Sequence, residues 1–196
     1  MADPTQPDSS SNATPPVDDR IVHAALSLIN EHGLGGVTMS QVADAAGVAR
    51  QTLYNRYGDI DSIVATTIQR HNQESLDLLA SAIAVAETPA DRVEQLARHF
   101  ASIGAHSHHS VDLLGALASE LRAGLDAYRH AIEEHIREII DDGMRAGDFR
   151  SDLSLDIDTG LIRSLLEGIQ DLAARTPDHA AQISTTGTRT ILHALR

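Results

Sequence analysis

Between Arg50 and Arg56 the chain reads RQTLYNR. Arg50, Gln51 and Asn55 are side chains that make paired hydrogen bonds to base edges, arginine to guanine and the amides to adenine. Thr52, Tyr54 and Arg56, with Thr38 upstream, are types that grip backbone phosphates and set register without reading sequence. Such groups act together only on a short helix that other elements hold against a duplex. The stretch therefore predicts a surface for double-stranded DNA.

The histidines are the other group with possible chemistry. His99, His106, His108 and His109 fall close together, and imidazole is a common ligand for zinc, copper or nickel. His106, His108 and His109 fall in an expected interhelical loop, and the tract alone does not assemble a site. His130 and His135 flank Glu133 and Glu134, but i,i+5 spacing puts the imidazoles roughly 140° apart on a helix, whereas a zinc protease pairs i,i+4. No glutamate has a histidine three residues later, as a di-iron bundle would need. Glycine-rich phosphate loops, G-x-S-x-G and cysteine are all missing, so no enzyme chemistry and no cofactor is expected.

The elements that must position the polar row run from Val37 to Ile63. Thr38 and Gln41 have capping-box spacing, with Val37 and Val42 as a hydrophobic staple. Gly47 stands where a first helix must stop and turn. Ala43 is small enough for a close crossing, and Val48 and Leu53 close the apolar corner. A second helix follows from Arg50 to Tyr57, with Tyr57 turned toward the neighbouring helices. This predicts a helix-turn-helix.

TMSQVADAAGVARQTLYNRYGD resembles the DNA-binding segment of TetR/AcrR-type transcriptional regulators, through Thr38, Val42, Ala43, Ala46, Gly47, Val48, Thr52, Leu53, Tyr54 and Tyr57. The likeness is sharp over residues 17–65 and one of length and helical layout beyond. It implies an all-α protein, with an N-terminal three-helix DNA-binding domain and a C-terminal helical domain for effector binding and dimerisation. It also implies a repressor that binds a palindromic operator as a homodimer and is released by a small-molecule effector in a cavity among the helices of residues 60–145. The switch would be a shift of the fourth helix. The dimer would form through residues 156–195. Two positions depart from the family pattern. Ala49 stands where a capping serine is common, and Ile60 where lysine is. The reading helix thus lacks a side-chain cap, and position 60 offers no cation to a phosphate. A helical small-molecule or metal-binding protein with a merely structural helix-turn-helix-like segment is the alternative.

The net charge of −13 runs against a DNA binder, whose affinity comes from neutralised phosphates. Residues 17–64 carry Arg20, Arg50 and Arg56 against Asp18, Asp19, Glu31, Asp44, Asp59 and Asp61, so even the expected reading head is acidic. All basic residues are arginine, aromatics make up 3%, and tryptophan is absent. A core of Leu, Ile, Val and Ala suits packed helices. No apolar run approaches membrane-spanning length and no signal pattern opens the chain, which predicts a cytoplasmic protein with no membrane partner.

Three regions are expected: a disordered tail over 1–16, rich in Pro, Ser and Asp; the reading head over 17–64; and a helical body over 65–196. The head opens with a helix over 17–32, capped by Gly33. A fourth helix runs from Asp59 to Val85, its buried side including Ile60, Ile63, Leu78 and Leu79, with the polar patch Gln69–Glu74 as a kink or a surface face. A fifth starts at Thr88-Pro89. Another starts at Ser110 and carries Leu113, Leu114, Leu117 and Leu121. A helix over 125–145 turns Ile132, Ile136, Ile139 and Ile140 inward, with Glu133–Arg137 and Asp141–Arg145 as outer pairs. The last two span 156–175 and 177–195. Leu165 and Ile191 are the expected interface side chains.

Overall fold

The computed structural model describes residues 15–106 and 119–196. The expected tail therefore lies almost wholly outside the described residues, as do the start at Ser110 and Leu113, Leu114, Leu117, His108 and His109. The described part is all α: α1 (Val17–His32), α2 (Met39–Ala46), α3 (Arg50–Tyr57), α4 (Ile60–Ala84), α5 (Pro89–His106), α6 (Ser119–Ala146), α7 (Leu155–Arg175) and α8 (Ala180–Leu195).

Local chemistry sets most of these bounds. Thr38 Oγ1 accepts the Gln41 N–H at 3.3 Å, and Gln41 Oε1 accepts the Thr38 N–H at 3.0 Å, which closes the capping box of α2. Gly47 ends α2 in the left-handed region at φ 62°, where a side chain would be strained. Asp59 Oδ1 accepts the Ser62 N–H at 2.8 Å and caps α4. These bonds hold the Asp59 carboxyl below the usual carboxylate range. Thr88 and Asp91 form the same reciprocal cap on α5, with Pro89 in the first helical position where its missing N–H costs nothing.

Two apolar cores result. The head core joins Ile21 and Ala25 of α1, Val42, Ala43 and Ala46 of α2, Leu53 of α3 and Ile63 of α4. The body core joins Leu79, Leu96, Phe100, Ile132, Ile136, Ile140, Leu166 and Ile191 from α4 to α8. Helix α4 contributes to both, and the boundary expected at 64/65 falls inside it. Gly104 lets α5 lie directly on α7, where a Cβ would sit 2.9 Å from the Gln170 carbonyl carbon and 3.0 Å from Ala173 Cβ. Gly187 lets α8 close on Ile169, and a Cβ there would meet Cγ1 at 2.8 Å.

Of the two readings left open for Gln69–Glu74, a kink or a surface face, the surface face holds, since helix α4 runs unbroken through it. Several expectations need correction. Leu78 is 72% exposed, not buried, because Leu79 takes the inward position. The Glu133–Arg137 pair does not form: Arg137 Nη2 reaches Asp156 at 2.7 Å and Glu133 pairs with Arg163 at 3.0 Å, since both face α7 rather than each other. Asp141–Arg145 does form. Ile191 is fully buried in the body core, so it is no surface side chain; the exposed apolar row lies on α7 instead, as Ile157, Leu161, Leu165 and Leu172.

Candidate nucleic-acid interface

Helix α3 presents its polar residues because Leu53 alone is fully buried and anchors it. Gln51, Asn55, Arg56 and Tyr54 are exposed and Thr52 is half-buried at the edge. Gln51 Nε2 donates to Asn55 Oδ1 at 2.9 Å, which fixes the two amides relative to each other and leaves the Gln51 oxygen and the Asn55 NH₂ outward. Arg50 donates to Ser40 Oγ on α2. Thr38 is exposed at the α2 cap beside this face, while its hydroxyl is already engaged with Gln41. Ala49 precedes α3 and makes no side-chain cap bond. Ile60 is half-buried against the head core, not set toward the outside.

Arg56, expected at a phosphate, lies against α1: its Nη1 donates to Asp18 Oδ1 at 2.8 Å and Oδ2 at 2.7 Å. Tyr57 packs on the head core and donates its hydroxyl to Asp18 at 3.3 Å. Burial first, and the Asp18 charge second, raise the Tyr57 pKa. Arg20, which sequence reasoning left unassigned, is built into the turn: its Nε donates to the Ala46 carbonyl at 3.0 Å and its Nη2 to the Gly47 carbonyl at 2.7 Å. Those are the bare carbonyls at the end of α2. Asp19 holds Arg70 of α4 at 2.8 Å. Asp18 and Asp19 stand at a helix start, where an acidic residue suits the helix dipole, and nothing local in the sequence points to partners 38 and 51 residues away.

Of the histidine tract, His108 and His109 lie outside the described residues, and His99 and His106 are placed differently. His99 is turned inward, its Nε2 3.2 Å from Ser75 Oγ and 3.3 Å from Tyr128 Oη, so α4, α5 and α6 share one polar junction. Burial, with a smaller contribution from His71, depresses the His99 pKa to about 4. Burial raises that of Tyr128. His106 is exposed, bonded to the Ser102 carbonyl at 2.7 Å. Among the described residues no three histidine or carboxylate side chains are placed to hold a metal, and no helix is long and apolar enough to cross a membrane. A hollow of about 490 Å³ lies between α4 and α6, lined by Ser62, Thr66, Gln69, Ala123 and Ala127. A trough of about 540 Å³ runs along α7 and α8 beside Leu165, Leu172, Gln182 and Thr186.

Residues 21–66 match the family model described as Bacterial regulatory proteins, tetR family. The chain is 38% identical over 63 residues to an uncharacterized HTH-type transcriptional regulator of Mycobacterium tuberculosis, covering 32% of this chain and 33% of that one. It is 33% identical over 78 residues to the HTH-type transcriptional regulator BetI of Rhizobium meliloti, covering 40% and 38%. The chain thus spans little more than a third of the curated relatives it matches. Its fold extends further. The fatty acid degradation regulator FadR of Bacillus halodurans superimposes with a TM-score of 0.79 at 20% identity, covering 94% of this chain and 99% of that one. FadR of Bacillus subtilis, solved with stearoyl-CoA, gives 0.77 at 17%, covering 91% and 99%. The curated relatives are named as HTH-type transcriptional regulators, and the solved structures share the fold over nearly the whole chain.

Proposed function

We propose, from the match of residues 21–66 to the tetR family model, that the chain is a TetR-family regulator acting as a cytoplasmic, ligand-responsive repressor. It binds a palindromic operator as a homodimer and is released by a small-molecule effector. The observation that carries this reading is the polar row of α3 standing outside a capped, close-packed head. Arg50, Gln51 and Asn55 contact base edges. Thr38, Thr52, Tyr54 and Arg56 contact phosphates. The two heads of a dimer then meet half-sites about 34 Å apart, or a multiple of that spacing.

The exposed apolar row of α7, with the trough beside α8, supports dimerisation over residues 156–195: a two-fold interface needs one self-complementary patch, and apolar side chains rarely stand in a row on a free surface. The hollow between α4 and α6 favours an effector site there. Helix α4 belongs to both cores, so a ligand that displaces it changes the spacing of the heads. The stearoyl-CoA bound by the Bacillus subtilis neighbour makes acyl thioesters the first class to screen. The test is a gel shift of the chain against the DNA upstream of its own gene, with light scattering in parallel. A dimer that retards this DNA but not a scrambled duplex is expected. A folded monomer that binds both alike would refute the reading.

A further inference from the structure

The first turn of α1 makes an unusual set of contacts. Three consecutive residues each hold a different helix: Asp18 holds Arg56 of α3, Asp19 holds Arg70 of α4, and Arg20 holds the end of α2. The consequence falls on charge. Residues 17–64 own three arginines. Arg20 is consumed by the Ala46 and Gly47 carbonyls. Arg56, the one expected on a phosphate, already has both oxygens of a carboxylate on Nη1. That carboxylate is itself held by the Tyr57 hydroxyl. Only Arg50 faces outward on a neutral partner.

We propose that Asp18 is an internal counter-anion that competes with the DNA backbone for Arg56 and so holds down binding to DNA of the wrong sequence. The inference rests on the DNA-binding reading above. A carboxylate and a phosphate oxygen offer a guanidinium the same charge-assisted hydrogen bonds. Both partners here are nearly half exposed, so the pair is weak enough to exchange. On non-operator DNA, phosphates are met loosely and Arg56 stays on Asp18. On the operator, base contacts fix the register and set a phosphate where it displaces the carboxylate. Sequence-independent affinity, which comes almost wholly from neutralised phosphates, is reduced more than operator affinity.

The test measures DNA binding by the full chain at several salt concentrations, for wild type, Asp18→Asn, Arg56→Gln and the double variant, each with a melting curve; Asp18→Ser, which keeps a good residue for a helix start, repeats the measurement. Asp18→Asn and Asp18→Ser should tighten binding to a scrambled duplex several-fold and steepen its log–log salt slope by about 0.9, one added phosphate contact. Operator binding should tighten less. In the Arg56→Gln background, Asp18→Asn should change nothing. An equal gain in that background would show a long-range charge effect and overturn the proposal, as would weaker binding to both duplexes, which would make Asp18 a support for Arg56. If Arg56→Gln leaves a folded protein with unchanged binding to both duplexes, the competition is refuted while DNA binding stands; if folded wild type retards neither duplex, the DNA-binding reading falls and this inference with it.

Discussion

Helices α3 and α7 both leave side chains outside their cores, and they leave opposite kinds. The outer face of α3 is Gln51, Asn55, Arg56 and Tyr54; that of α7 is Ile157, Leu161, Leu165 and Leu172. Each is anchored the same way, by buried aliphatic residues: Leu53 in α3, Ile162, Leu166 and Ile169 in α7. The inner faces explain why the helices fold where they do. The outer faces suggest what each is for. Hydrogen-bonding groups suit a partner rich in donors and acceptors, and an aliphatic row suits a copy of itself.

The largest expected effects separate the inner from the outer side of this apolar layer. Ile191→Glu buries an unpaired charge in the body core and should cost on the order of 4 kcal/mol, seen as loss of the cooperative melt. Leu165→Glu, at a side chain 41% exposed, should leave monomer stability within about 0.5 kcal/mol yet yield monomers by light scattering. A Leu165→Glu chain that remains dimeric would place the interface elsewhere. Next come the glycines. Gly104→Ala forces a Cβ onto the Gln170 carbonyl and should destabilise by about 1–3 kcal/mol. Gly124→Ala, with nothing within 4 Å, should stabilise by about 0.5–1 kcal/mol. If both melt alike, the close α5–α7 approach is wrong.

His99 supplies an effect that depends on pH. Its pKa is depressed from the usual 6.5 to about 4, so the unfolded chain binds more protons between those values. The stability gained from keeping it neutral is complete above pH 6.5 and is lost as pH falls toward 4. Asp59 and Asp141, held below the ordinary carboxylate range, titrate beneath that window. His99→Gln should flatten the decline of melting temperature between pH 6.5 and 4.5, and an unaltered decline would remove His99 as its cause. The smallest effect belongs to the head: Ala49→Ser should restore an N-cap to α3 and stabilise by about 0.5–2 kcal/mol in a melting curve. No gain would mean that the serine hydroxyl does not reach the bare N–H groups of α3.

The head was legible because its determinants are local. Thr38 with Gln41, and Gly47 after Ala46, specify helix ends within a few residues, and α2 begins and ends where these signals put it. The body was legible in its helices and less so in its faces. Periodicity marks a stripe without saying what covers it, so Leu78 and Ile191 were assigned to the wrong sides. The candidate site was legible in the α3 row. Its Asp18–Arg56 and Asp19–Arg70 links were not, because an ion pair across helices leaves no spacing to read. The Arg20 brace was hidden likewise, since its acceptors are backbone carbonyls that every residue has.

The central claim is that α3 reads sequence, and one comparison tests it most directly. Binding of Arg50→Ala and wild type should be measured across an operator library with every single base-pair change. The account predicts a loss of about 1–3 kcal/mol, with discrimination relaxed at one base pair per half-site and kept elsewhere. A uniform loss across the whole library would make Arg50 a phosphate contact, and α3 would no longer be docked with its Arg50–Asn55 face on the bases.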